Sequence, residues 1–379
     1  MKTILSSKRH HYLNRVGIFL IAIALVAGMV GCGPIPVQYD LTISSGAGGS
    51  VTEPGEGVFT DDEGTVVDLV ATSDEGYRFV NWTGDVGTIA NVNAAITTIT
   101  MNDNYSITAN FGEEEAVTFP DPNLEAAIRE AIDKPTGSIC PSDLKGLTSL
   151  DADQRNIADL TGLDHCTSLT YLNLRENQIS DILPLTNLTN LTYLDLLVNQ
   201  ISDISALANL TNLAFFDLRG NQISDISALA NLTNLTGLGI SGHQLSDIAL
   251  LVDLTNLTWL HLADSQTSDI SALANLASLT SLALYRNQIS DISPLANVTN
   301  LTELWLSENQ ISDISPLANL TNLTYLDLHD NQISDISPLV QNEGLGTGDE
   351  VNLTGNPLSS DSVNIYIPQL QARGVIVHY

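Results

Sequence analysis

The sequence predicts an α/β solenoid of stacked 22-residue turns with a parallel β-sheet on its concave face, preceded by a small β-rich domain. Three observations predict it. The segment LTYLNLRENQISDILPLTNLTN, starting at Leu169, returns with leucine at Leu191, Leu213, Leu235, Leu257, Leu279, Leu301 and Leu323. A fixed period of this size marks a repeat array. Each turn carries seven apolar positions, in the first full copy Leu169, Leu172, Leu174, Ile179, Ile182, Leu185 and Leu188. One helix or one strand cannot bury seven such residues in that spacing, but the inside of a flattened coil can. Residues 39–112, by contrast, alternate apolar and polar residues between Gly- and Asp-rich breaks, with no helical period.

The N-terminus reads as a targeting segment. Lys2, Lys8, Arg9 and Arg15 form a basic region, and Val16 to Val30 is an apolar run too short for a spanning helix. The run ends in Met29-Val30-Gly31-Cys32. This resembles a bacterial lipoprotein processing box, which implies cleavage after residue 31 and a thioether-linked lipid on Cys32. A plain signal peptide or an uncleaved anchor are the alternatives. Removal of residues 1–31 takes the formal charge from −31 to −35. Such a chain repels nucleic acid and anionic headgroups, so nucleic acid is excluded as a partner and the membrane is met only through the lipid anchor. Most of this charge is spread over the repeats as a solvated face.

Residues 32–38 form a tether. Within 39–112, strands are expected at Tyr39–Ile43, Thr65–Val70, Tyr77–Trp82 and Tyr105–Phe111, with Trp82 in the core. GGSVTEPGEG, DEGTVVDLVATSDEGYRFVNWTGD and YSITANF resemble the divergent form of the internalin B-repeat domain. The resemblance implies a β-grasp-like extracellular module serving as a spacer or weak interaction unit.

Residues 113–116 are an acidic linker and 117–146 an N-terminal cap. Asp121 is an N-cap before Pro122, and Leu124, Ala127, Ile128, Ala131 and Ile132 follow at helical spacing. A helix here covers the open apolar end of the stack. Cys140 and Cys166 can form a disulfide in a secreted context, but Cys166 stands where later turns carry Leu188 or Leu210, and so reads as a small buried apolar residue.

The repeats occupy 147–358. LTYLNL alternates and is the strand, so about ten turns at about 4.8 Å make a rod of roughly 50 Å. Asn177, Asn199, Asn221, Asn287, Asn309 and Asn331 share one position, where the amide satisfies corner backbone groups in its own turn and the next. Asp181, Asp203, Asp225, Asp247, Asp269, Asp291, Asp313 and Asp335 share another and cap the following short turn; a cation-binding column is the alternative reading. The Asn-Leu-Thr triplets read as turn residues rather than glycosylation sites. In two turns His243 and Ser265 replace the asparagine, Thr267 the isoleucine, and Gly237 and Gly239 thin the strand. Drift in a tolerant array is the first reading, a local bend or binding site the second. Residues 359–379 form a C-terminal cap with a final strand from Val375 to Tyr379, and Pro368 argues against a straight helix between.

The pattern LxxLxLxxNxI at this period is the leucine-rich repeat, and the wording NQISDISPLANLTNL resembles the internalin type. The resemblance implies partner binding through the concave face. Three outward columns run along the strands, and outside them the repeats are nearly identical. The first holds Tyr171, Tyr193, Phe215, Gly237, Trp259, Ser281, Glu303 and Tyr325; the second Asp195, Asp217, Gly239, His261, Ala283, Trp305 and Asp327; the third Arg175, Leu197, Arg219, Tyr285 and His329. Aromatics in a row with arginine are what interface hot spots use. The expected ligand-binding residues are therefore Tyr171, Tyr193, Phe215, Trp259, Trp305, Tyr285, Tyr325, Arg175, Arg219, Asp195, Asp217 and Asp327. The alternative is an aromatic ladder that only stabilises strand stacking.

No Ser/His/Asp arrangement, paired-His motif or Gly-rich phosphate loop appears, so no enzyme and no cofactor are expected. Asp327 and His329 share a strand face but are too few for a metal site. The sequence thus points to a monomeric, lipid-anchored surface protein that binds a protein ligand, with a glycan as second choice. A self-associating envelope scaffold is the rival class.

Overall fold

The computed structural model describes residues 36–241, 245 and 248–379; the targeting segment, Cys32, His243 and Asp247 lie outside them. The chain divides into two compact units. The first runs to Asp74 and resumes over Phe79–Phe111, and the second takes Gly112–Tyr379 with the short piece Glu75–Arg78.

The first unit holds β1 (Gln38–Ser45), β2 (Gly49–Glu53), β3 (Gly57–Asp62), β4 (Val66–Ser73), β5 (Tyr77–Gly84), β6 (Ile96–Thr100) and β7 (Tyr105–Glu113). They form a sheet in the order β3-β1-β7-β5 and a second in the order β2-β4-β6. β1 runs parallel to β7 and antiparallel to β3. Alternation in β1, β4, β5 and β7 turns Leu41, Leu69, Trp82 and Ile107 into one core shared by both sheets. Trp82 is fully buried and its indole N–H donates to the Ala94 carbonyl at 3.0 Å, the arrangement expected of a buried tryptophan. β2, β3 and β6 are strands beyond the four that the sequence predicts. Glycine at the start of β2 reads as a break, but a Cβ on Gly49 would stand 2.5 Å from the Phe111 ring, so here glycine admits a core aromatic.

The second unit opens with α1 (Pro122–Ala131). Asp121 caps it, accepting from the amides of Asn123 and Leu124 through one oxygen and of Ala158 and Asp159 through the other. Burial pushes this carboxyl up, but the four amide donors outweigh it and leave it below its ordinary value. One side chain thus ties the cap to the first turn. Leu124, Ala127 and Ile128 are buried in the solenoid core, closing its open end. A short α2 (Pro141–Leu144) follows.

Eleven strands then make one parallel sheet in sequence order: β8 (Ser149–Asp151), β9 (Tyr171–Asn173), β10 (Tyr193–Asp195), β11 (Phe215–Asp217), β12 (Gly237–Gly239), β13 (Trp259–His261), β14 (Ser281–Ala283), β15 (Glu303–Trp305), β16 (Tyr325–Asp327), β17 (Glu350–Asn352) and β18 (Ile376–His378). Register follows the repeat, so Tyr171 faces Tyr193 and Tyr193 faces Phe215. The apolar columns are buried, and a leucine truncated there costs about 2–5 kcal/mol.

The return paths from β8 to β16 are short 3-10 turns such as Ser227–Asn231 or Ser293–Asn297. The preceding aspartate caps it. Asp225 accepts from the Ser227 amide and Asp291 from the Ser293 amide, both at 2.8 Å. Asn190, Asn234 and Asn256 of the triplets donate to the carbonyls of Thr167, Thr211 and Thr233 one turn back, as turn residues do, and Asn212 at the equivalent position donates to Thr189.

The corner asparagines hold the stack together, with one difference from expectation. Asn199 donates to Leu196 in its own turn and to Leu174 in the preceding turn, and accepts from the Ile179 amide, also of the preceding turn. The bonds point back rather than forward because each strand's carbonyl is left free at the turn already laid down. In the first turn Arg155 occupies the corner; its amide is taken by Asn177, and its guanidinium reaches Glu130 of α1 at 2.8 Å.

At the C-terminus α3 (Ser337–Gln341) precedes β17, and α4 (Ile367–Ala372) precedes β18. Pro368 does not prevent a helix. It lies in the first turn of α4, where its missing N–H costs little, and a π-turn at Ser362–Tyr366 leads into it. Cys140 and Cys166 are both free and buried, so no bridge joins them. Cys166 packs in the leucine column, and burial pushes its thiol up to about 12.

Candidate ligand-binding face

The parallel register converts the first outward column into a ladder of rings. Tyr171 and Tyr193 stack at 4.5 Å between centroids and Tyr193 and Phe215 at 4.6 Å, with planes within 16° and 8° of parallel. The strand spacing of about 4.8 Å places successive rings at stacking distance without further adjustment. Burial, with Asp195 adding to it, pushes the Tyr193 hydroxyl up to about 12.

The next rung carries no ring. Phe215 and Trp259, two turns apart, stack across it at 5.7 Å. Gly237 makes this possible, since a Cβ there would stand 2.8 Å from Phe215. A Cβ on Gly239 would stand 2.6 Å from an Asp217 carboxylate oxygen and 3.1 Å from Trp259. The space at both glycines is therefore used by the neighbouring rungs, which gives these departures from the repeat a structural purpose.

Around Trp259 the columns knit together. The Arg219 guanidinium lies over the Trp259 ring, 5.3 Å from its centroid, and forks onto Asp217 at 2.7 and 3.0 Å. Another of its nitrogens lies 3.3 Å from His261 Nδ1, and His261 Nε2 meets the Tyr285 hydroxyl at 3.2 Å. Burial, and then the Arg219 charge, push His261 down to about 4, with Asp217 pulling the other way, so the ring is neutral at neutral pH. His261 is a member of this cluster that did not stand out in the sequence; its signal was a histidine flanked by an aromatic in the same strand.

Trp305 and Tyr325 form a separate pair at 5.5 Å. The remaining candidates sit differently from a freely exposed surface. The aromatic rings are half-buried against one another, and Asp195, Asp217 and Asp327 are 8%, 2% and 7% exposed. Each of these aspartates accepts the backbone N–H two residues on, from Leu197, Arg219 and His329 respectively, so the carboxylate folds onto its own corner. Burial raises the Asp195 carboxyl, and the Leu197 amide only partly reverses this. Arg175 is exposed and pairs with Glu176 at 2.7 Å. Asp327 and His329 bind each other at 3.0 Å, and among the described residues no group of three or more His, Cys, Asp or Glu side chains is placed to hold a metal ion.

A one-strand-per-turn parallel sheet, a buried asparagine corner and a 3-10 return define a leucine-rich repeat protein. A family model described as Leucine Rich repeats (2 copies) matches residues 167–209, 211–252, 255–297 and 299–341, and one described as Divergent InlB B-repeat domain matches 39–115. No curated protein sequence matches the chain. Among solved structures, it is 35% identical to an internalin, InlF, of Listeria monocytogenes, over 69% of this chain and 90% of that one, with a TM-score of 0.55. Internalin C2 of the same organism is 39% identical over 56% of this chain and 97% of that one, with a TM-score of 0.52. The functional domain of InlJ from Listeria monocytogenes, 22% identical over 70% of this chain and 62% of that one, shares the fold at a TM-score of 0.55. The chain belongs to the internalin family of leucine-rich repeat proteins. No enzyme family is indicated, and among the described residues no helix is long and apolar enough to cross a membrane.

Proposed function

We propose that this protein is a lipid-anchored surface protein that recognises a protein ligand through the outward columns of its repeat sheet. The observation that carries this reading is the row from Tyr171 to Trp259. Its rings are held rigid by stacking and by Arg219, yet each keeps part of its surface open to solvent. Rigid, half-exposed aromatics lose little entropy on binding, which is why they dominate interfaces. The internalin fold supports the same reading, since repeat sheets of this type offer extended binding surfaces. The lipid is placed on Cys32, the β unit acts as spacer, and the protein works as a monomer without a cofactor.

The test is a pull-down with the full chain from envelope and culture-partner extracts. A variant with Tyr171, Tyr193, Phe215, Trp259 and Trp305 changed to serine runs beside it, once circular dichroism shows that it folds. A partner captured by the native chain and lost by the variant supports recognition by this face. Equal capture by both, or self-association without a partner, overturns it in favour of an envelope scaffold. Mass spectrometry tests the anchor independently, and an unmodified Cys32 overturns it.

A further inference from the structure

Two consecutive rungs of the first outward column, Ser281 and Glu303, carry no ring. The register of β13, β14, β15 and β16 sets Trp259, Ser281, Glu303 and Tyr325 side by side. The ring at Trp259 is engaged by Phe215 at 5.7 Å and by His261 of its own strand at 5.9 Å, and Tyr325 meets Trp305 of the second column. At Gly237 the flanking rings close over the bare rung. At Ser281 no ring contact among the described residues does so.

The charges point the same way. Among the described residues, Glu303 is the only carboxylate within these eleven strands that accepts no hydrogen bond and pairs with no cation. Asp151, Asp195, Asp217, Asp327 and Glu350 all have partners. The arginines nearby are already taken: Arg175 by Glu176, Arg219 by Asp217 and Arg286 by Glu308. Glu303 is part-exposed and met by no cation of the chain among the described residues, so its carboxylate is open to one that a ligand supplies. The chain also contains a template for how it would sit, because Arg219 lies over the Trp259 ring while forking onto a carboxylate. The single register step of about 4.8 Å from Trp259 to the Ser281 rung is roughly the spacing at which a planar group stacks on a ring.

We propose that the notch formed by Trp259, Ser281, Glu303 and Tyr325 receives an arginine side chain of the protein ligand. Its guanidinium lies against the flanking ring and donates to the Glu303 carboxylate. A planar, forked, weakly hydrated cation satisfies both the ring and the carboxylate, and lysine satisfies only the charge. This rests on the concave-face reading above and names the chemistry that the face selects.

The test is a tryptophan-fluorescence titration of the full chain with an acetylated (Gly-Arg)4 amide, against the same peptide with citrulline in place of arginine. Saturable binding of the arginine peptide is expected, about tenfold tighter than the citrulline peptide, as for a charge-assisted hydrogen bond. Glu303→Gln and Ser281→Tyr should each weaken it by about fivefold or more, the second by supplying the missing ring from the chain itself. Asp253→Asn removes the same charge from a 3-10 turn outside the sheet and should change nothing. Equal affinity for the two peptides, or a Glu303→Gln effect no larger than that of Asp253→Asn, overturns the proposal. The pull-down separates the two readings. A partner lost by the five-aromatic variant but kept by Glu303→Gln and Ser281→Tyr leaves the face standing and removes the notch. A partner kept by all of them removes the face itself.

Discussion

Phe215 and Trp259 stack 5.7 Å apart and 23° from parallel although a whole turn lies between their strands, because the rung between them is Gly237. The missing side chain is not empty space. It is the place into which the flanking rings settle, with Arg219 laid over the far one.

Gly237→Ala should therefore destabilise the solenoid by about 1–3 kcal/mol, the ordinary range for forcing atoms into a packed site. The added Cβ would not fit without moving Phe215, whose ring edge stands 2.8 Å from that position. Urea unfolding with tryptophan fluorescence reads both the stability and the change around Trp259. Unchanged stability would mean that the stack has slack.

Thr267→Val should stabilise the protein by about 1 kcal/mol. The Thr267 hydroxyl is buried without a hydrogen-bond partner, in a column that is isoleucine in most turns and leucine at Leu245. Valine keeps the shape and removes the orphaned oxygen. Thermal unfolding of the single variant is sufficient to check this, and a lowered midpoint would contradict it.

His261 makes stability depend on pH in a defined window. Its folded pKa, about 4, lies below the value of about 6.5 expected in the unfolded chain. Between these values the unfolded chain binds more protons, so the contribution is complete above about pH 6.5 and is lost as pH falls toward about 4. The urea midpoint should drop between pH 7 and pH 5 in the native chain and drop less in His261→Gln. Parallel profiles for the two would assign the loss to other groups.

Cys140 and Cys166 should be inert in the folded state. Burial raises both thiols, Cys166 up to about 12, and reagents attack the thiolate. In a Cys32→Ser chain, Ellman's reagent should react with neither until denaturant is added, and reductant should leave the melting temperature unchanged. Rapid labelling of the native chain would contradict the burial of these residues.

Much of this molecule was readable before any fold was known, because the period does the work of an alignment. Once Leu169 and Leu191 are recognised as equivalent, the register of every strand pair follows, and so do the buried columns and the asparagine corner. The Asp121–Pro122 start of the cap helix was equally legible, since both residues act on the backbone beside them. β2, β3 and β6 were not legible. Their glycines and short lengths resemble turns, and only Phe111 packing over Gly49 shows why a strand can begin there.

Within the candidate face, residue identity along each column was set by the chain alone, because a repeat aligns its own side chains. Distance across the columns was not. That Asp195 and Asp217 bend onto their own corners, that Arg219 turns from solvent to Trp259, and that Ser281 is left open while Gly237 is closed all depend on contacts between neighbouring turns. The physical reason is the difference between local and non-local forces. Backbone periodicity and capping act within one turn and leave their mark on the sequence, whereas stacking and desolvation act between turns and appear only once the coil has closed.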